Sequence, residues 1–147
     1  MNLLGVMFAV VSGAFMSIQG VMNTRLSDKI GLLESNAFVQ GTAFLLSVIA
    51  VLIFGKGNFS SIFQAKPLYL LGGVLGLFIT IFVMLSMQNL SPTVAVSVIL
   101  IAQLTVAAVI DAFGIMETEK IAFHWTKILG LLLMIGGVIL FKFKGSN

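Results

Sequence analysis

Long apolar runs broken by short polar stretches set the plan of this chain. The runs cover residues 3–22, 32–54, 68–87, 93–114 and 126–141. At a rise of about 1.5 Å per residue, runs of about 20 residues match a hydrocarbon core of about 30 Å. Lipid offers the backbone no hydrogen-bond partners, so each run is predicted to be a helix. The stretches between them carry the loop chemistry. NTRLSDKIG follows the first run and reads as an interfacial loop, and GKGNFSSIFQAKP is the longest connection. Its Phe59, Ile62 and Phe63 are expected on the membrane surface. Pro67 suits the start of the third helix, QNLSP is a short uncharged turn, and Pro92 opens the fourth helix. METEKIAFHW precedes the fifth, placing His124 and Trp125 where aromatic belts occur.

The expectation is an all-α membrane protein, a single transmembrane domain over residues 1–147 built as a bundle of five transmembrane helices. Composition agrees: 59% of residues are hydrophobic and only 9% charged, with a mean hydropathy of +1.16. A soluble domain of this size has too little interior to hide that much apolar surface. The first residues, MNLLGVMFAV, lack a basic region and a small-residue cleavage site, and are expected to be a retained helix. Cysteine is absent, and the formal charge of +3 is too scattered to suggest nucleic-acid binding.

Five crossings put the two ends of the chain on opposite faces. Lys56, Lys66, Lys120 and Lys127 then share one face, while Arg25, Lys29, Lys142 and Lys144 share the other. Basic side chains set membrane orientation, and here they balance. Two readings stand: a weak bias decided by the first helix, or dual topology, in which copies insert both ways and pair antiparallel.

Polar side chains inside the runs are few and ordered. Ser12, Gln19 and Asn23 fall on one face of the first helix, and Asn36, Gln40 and Ser47 on one face of the second. Because these helices run in opposite directions, Gln19, Asn23, Asn36 and Gln40 approach one side of the membrane. They serve either as interhelical hydrogen bonds or as part of a polar pathway. Gly72, Gly76 and Thr80 make a small-residue stripe suited to close helix packing. The fourth run carries Gln103 near its middle and Asp111 one turn from its end. A charge inside an apolar span costs up to about 3 kcal/mol at the bilayer centre, so such a group turns toward protein or water. Asp111 is either the candidate proton carrier or a structural partner at a helix end, with Gly114 as the stop.

The segment Gly130-Leu-Leu-Leu-Met-Ile-Gly136-Gly137-Val138 resembles the dimerising last helix of the small multidrug resistance transporters. A match over nearly the whole chain is to the YdcZ-like five-helix family of the drug/metabolite transporter superfamily. It is carried by Gln19-Gly-Val-Met-Asn23-Thr-Arg25-Leu26, Phe38-Val-Gln-Gly41-Thr42, Leu71-Gly72-Gly73, and Gln103 with Asp111-Ala-Phe113-Gly114. Ser17 stands where that family usually has proline, and Ala112 where it has histidine. The resemblance implies a secondary transporter or exporter of a small molecule in the bacterial inner membrane. It would work by alternating access as an antiparallel homodimer or with a paired homologous subunit. Gln19, Asn23, Asn36, Gln40, Gln103 and Asp111 are the candidate pathway residues, and Gly130, Gly136 and Gly137 the candidate dimer contacts. The first run lacks the glutamate that small multidrug resistance proteins use for cation exchange, which argues against a hydrophobic-cation antiporter. Enzymatic chemistry is not expected, since the sole histidine, His124, is interfacial and no HExxH or GxSxG occurs. No cofactor or metal is expected. The remaining alternative is a non-transporting membrane subunit or assembly factor.

Overall fold

A computed structural model describes residues 2–121 and 124–143. Five α-helices account for most of these: α1 (Leu3–Ile30), α2 (Leu32–Phe54), α3 (Gly72–Asn89), α4 (Pro92–Phe113) and α5 (Trp125–Phe143). The expected all-helical class holds, with no strand among the described residues. Leu3–Ile30, Leu32–Phe54, Pro67–Asn89 and Pro92–Phe113 are each long and apolar enough to cross a membrane, while Trp125–Phe141 is a shorter apolar helix. The chain forms two compact units, Met1–Asn89 and Leu90–Asn147.

In the first unit, α1 does not stop where its apolar run stops. The polar stretch after Met22, expected to be a loop, continues the helix to Ile30. Its 28 residues would extend about 42 Å, roughly 12 Å more than the hydrocarbon core. Hydropathy misjudged this segment because its polar residues have structural partners. Asn23, Thr24 and Ser27 are buried against the rest of the unit. Asn2 caps the start of α1 by accepting from Leu4 N–H at 3.1 Å.

A single residue, Gly31, turns α1 into α2. Its N–H donates to Ser27 O, ending α1, and its carbonyl accepts from Ser35 N–H, beginning α2. A φ of 101° is open to glycine and strained for any other residue. The Glu34 carboxylate lies over Gly31, where a Cβ would meet it. It stands in the first turn of α2, whose exposed N–H groups favour an acid. The next connection carries two short 3₁₀ turns, Phe59–Gln64 and Pro67–Leu71, before α3 begins. Phe59, Ile62 and Phe63 are exposed on it, as an interfacial segment requires.

Helices α1, α2 and α3 pack together at the end of the unit that holds Gly31. Gly20, Asn23, Thr24 and Ser27 of α1 meet Ser35 and Asn36 of α2 and Met84 and Met87 of α3. The approach at Gly20 is close: a Cβ there would lie 2.7 Å from Met87 Cε and 3.2 Å from Val83 Cγ1. Beyond this cluster the helices are open, and every residue of α2 from Gly41 to Phe54 is exposed.

In the second unit, α4 packs on α5. Pro92 occupies the first turn of α4, and Gly114, left-handed at φ 64°, ends it by donating to Ile110 O. Both sequence signals operate as expected. A 3₁₀ turn, Ile115–Glu117, follows, with Met116 and Glu117 also at positive φ. Ile121 N–H then returns to Asp111 O at 2.9 Å, tying the connection to the end of α4. Residues 122–123 of this connection, and Lys144 beyond α5, lie outside the described residues.

Overpacking at the α1–α3 contact is the direct check on this arrangement. Gly20→Val is expected to destabilise the protein by about 1–3 kcal/mol, and Met87→Ala in the same chain to recover part of that loss. Unfolding in mixed detergent reads both variants. Unchanged stability of Gly20→Val would mean that α1 and α3 do not approach so closely.

Candidate functional site

Most hydroxyls in the helices are satisfied within their own helix. Ser17, Thr24, Thr42, Ser47, Ser97 and Thr105 each donate to the carbonyl four residues earlier. Such groups sit in lipid at little cost and need no functional partner. Ser47, grouped by spacing with Asn36 and Gln40, is one of these. The amides and the ion pair remain as the chemically active set.

The first unit brings three of the predicted amides to one end. Asn23 and Asn36 are both buried, at 8% and 4% exposure, and α2 meets α1 there. Ser35 Oγ donates to Asn23 O at 3.2 Å and also lies 3.7 Å from Met84 Sδ. On α3, Gln88 Nε2 donates to Ser27 Oγ at 3.0 Å and approaches Asp28 Oδ1 at 3.4 Å. Ser27 in turn donates to Thr24 O. One turn further along α2, Gln40 also reaches α3, where its Nε2 donates to Thr80 Oγ1 at 3.4 Å. The close packing expected of the small-residue stripe is not seen among the described residues: a Cβ on Gly76 would lie 3.9 Å from Gln40 Nε2, and one on Gly72 would meet nothing within 4 Å. The Asn36 Oδ1 is enclosed and accepts from no donor among the described residues, a costly state for a buried carbonyl.

Gln19 differs from its neighbours. It is exposed and shares an open groove of about 750 Å³ with Ser12 and the edge of Asn23. Phe8, Phe15 and Met22 make up apolar parts of the same wall. The stripe of Ser12, Gln19 and Asn23 expected from spacing is thus real, and it faces away from α2 and α3 at Ser12 and Gln19.

In the second unit Asp111 stands in the last turn of α4 and Lys127 in the first turn of α5. Lys127 Nζ donates to Asp111 Oδ2 at 3.4 Å, with the side chains 32% and 40% exposed respectively. Together they border a pocket of about 450 Å³ lined by Leu104, Ala107, Ala108, Gly130, Leu131 and Met134. Sequence reasoning counted Lys127 only as a topological charge. Its register was nonetheless available, because an antiparallel hairpin brings the end of one helix level with the start of the next. Gln103 lies exposed on α4 outside this pocket lining. Gly130, Gly136 and Gly137 have no neighbour within 4 Å of where a Cβ would sit, so none of them is needed for the packing of α4 on α5. Among the described residues no cluster of His, Cys, Asp or Glu could hold a metal ion.

These features define a membrane-embedded helical protein with polar and charged side chains opening from its helix faces. Residues 4–140 match the family described as "Putative inner membrane exporter, YdcZ". The chain belongs to this family, as its motifs led one to expect, and is an integral inner-membrane protein of transporter type. Comparison with curated proteins and with solved structures gives no match.

Two of the polar residues at the α1–α2–α3 junction, Asn36 and Ser27, should separate in a stability assay. Asn36→Leu removes no hydrogen bond and is expected to leave stability within about 1 kcal/mol or raise it. Ser27→Ala deprives Gln88 of its acceptor and should cost about 1 kcal/mol. Thermal unfolding in detergent measures both. A loss of several kcal/mol in Asn36→Leu would reveal a donor for its carbonyl.

Proposed function

We propose that this protein is a secondary transporter that exports a small molecule by alternating access, working as an antiparallel dual-topology homodimer with α5 as a fifth crossing. The observation that carries the reading is the open groove of α1. Ser12 and Gln19 are exposed on a face of α1 that α2 and α3 leave open, on a helix long and apolar enough to cross a membrane. An amide facing hydrocarbon loses its hydrogen bonds to water, so it belongs against a water-filled path or another protein surface.

Three further features support the dimer. The basic residues balance four against four across the expected faces, which permits both orientations. Gly130, Gly136 and Gly137 are open within the α4–α5 unit, and small residues let helices of two copies approach closely. The 19 residues of α5 reach about 28 Å, close to the core thickness. In an inverted pair, Asp111 of one copy, near one end of its α4, comes level with Gln19 and Asn23 of the other. Each of two equivalent sites would then combine amides from one protomer with the carboxylate of its partner. Asn36, Gln40 and Gln103 would extend the polar path.

Reporters fused to the C-terminus should appear on both sides of the membrane, and two added lysines in one loop should bias them to one. Gln19→Cys in one tagged copy should cross-link with Asp111→Cys in a differently tagged copy. A single orientation indifferent to the lysines would sink dual topology. Cross-linking through Gly137→Cys but never between Gln19→Cys and Asp111→Cys would sink the shared site.

A further inference from the structure

We propose that the pocket bordered by Asp111 and Lys127 binds a small apolar α-amino acid in its zwitterionic form. The proposal rests on the transporter reading for the fate of the ligand, while binding itself stands on the pocket. Three properties of the pocket specify the ligand.

The first is charge. A carboxylate and an ammonium stand 3.4 Å apart on one wall, so the pocket is neutral overall yet offers both signs. A lone cation would be repelled by Lys127 and a lone anion by Asp111, each leaving one charge of the pair opposed. A zwitterion answers both: its ammonium donates to Asp111 and its carboxylate accepts from Lys127. It also carries no net charge into the apolar region.

The second is spare bonding capacity. The pair meets through Oδ2 alone, leaving Asp111 Oδ1 and two of the three Lys127 N–H bonds without partners among the described residues. The contact is long and both side chains are partly exposed, the kind of pair that contributes little when closed and opens readily. Its frame is firmer. Ile121 N–H holds the Asp111 carbonyl, and the two charges sit on packed helices. The third is shape. The remaining lining is Leu104, Ala107, Ala108, Gly130, Leu131 and Met134, which offers an aliphatic side chain apolar contact and no further polar partner. A pair that served only to clamp α4 to α5 would need no cavity beside it.

The test uses the purified full-length protein in detergent, with L-alanine, L-valine and L-leucine at millimolar concentration. At least one should raise the unfolding temperature by about 3 °C. Isoamylamine, which is leucine without its carboxylate, and isocaproate, which is leucine without its amine, should not. Asp111→Asn and Lys127→Gln should each abolish the shift while eluting as the native protein does. Ala108→Phe, which fills the pocket and keeps both charges, should abolish it too, and covers the case in which a charge variant fails to fold. No shift with any of the three amino acids overturns the proposal, as does an equal shift with either single-charge analogue or a shift retained in Asp111→Asn. Counterflow of the same amino acids in proteoliposomes separates the two claims. A shift without counterflow keeps the pocket and removes the transporter reading. Counterflow of another solute, with no shift from amino acids, removes the pocket alone.

Discussion

Lipid cannot hydrogen-bond a peptide group, and that constraint shapes everything else in this chain. Each backbone N–H and C=O at membrane depth must find its partner within the segment, which leaves the helix as the economical form. The turns are accordingly tight. Gly31 alone joins α1 to α2, giving its N–H to the last turn of one helix and its carbonyl to the first turn of the next. Hydroxyls in the helices follow the same rule by donating to carbonyls of their own helix.

What holds the helices to one another is a separate matter. In lipid, apolar side chains gain little by leaving their surroundings, so packing depends on close approach and on polar contacts. Both are concentrated at the Gly31 end of the first unit. Gly20 lets Met87 of α3 come against α1, while Ser27, Ser35 and Gln88 link the three helices. The only buried apolar side chains among the described residues are Met84, Met87 and Ala95. The first unit is therefore held by a small, largely polar junction rather than by an extended apolar core.

That distinction explains what could be read from the sequence. The helices were legible because their apolar runs are long and Pro67, Pro92 and Gly114 punctuate them. The stripe of Ser12, Gln19 and Asn23 was legible from helical spacing. The extension of α1 through residues 23–30 was not, because hydropathy scores Asn23, Thr24 and Ser27 as loop-like. Their partners, Ser35 and Gln88, lie 12 and 61 residues away in sequence. Lys127 escaped for the same reason: its significance depends on Asp111, 16 residues earlier, and appears only when the hairpin is closed. Polar contacts between distant residues carry no local periodic signal, whereas burial on one face of a helix does.

The distribution of unsatisfied groups then bears on assembly. A helix face in lipid gains nothing from Leu or Phe that it would not also gain from lipid tails. Gln19 is different, because only water or a protein partner can restore its hydrogen bonds. Gly130, Gly136 and Gly137 differ in another way, since they leave space that lipid chains fill less closely than a facing helix. Within the first unit the Gln19 amide is exposed on α1, and within the second the glycines of α5 are unpartnered. On the proposed antiparallel pairing, these are the features that would meet a second copy. A contact built from a few amides and small residues is also weak enough to be rearranged. An alternating-access machine requires that its two states differ by only a few kcal/mol, and an extensive apolar interface would be harder to keep within that limit.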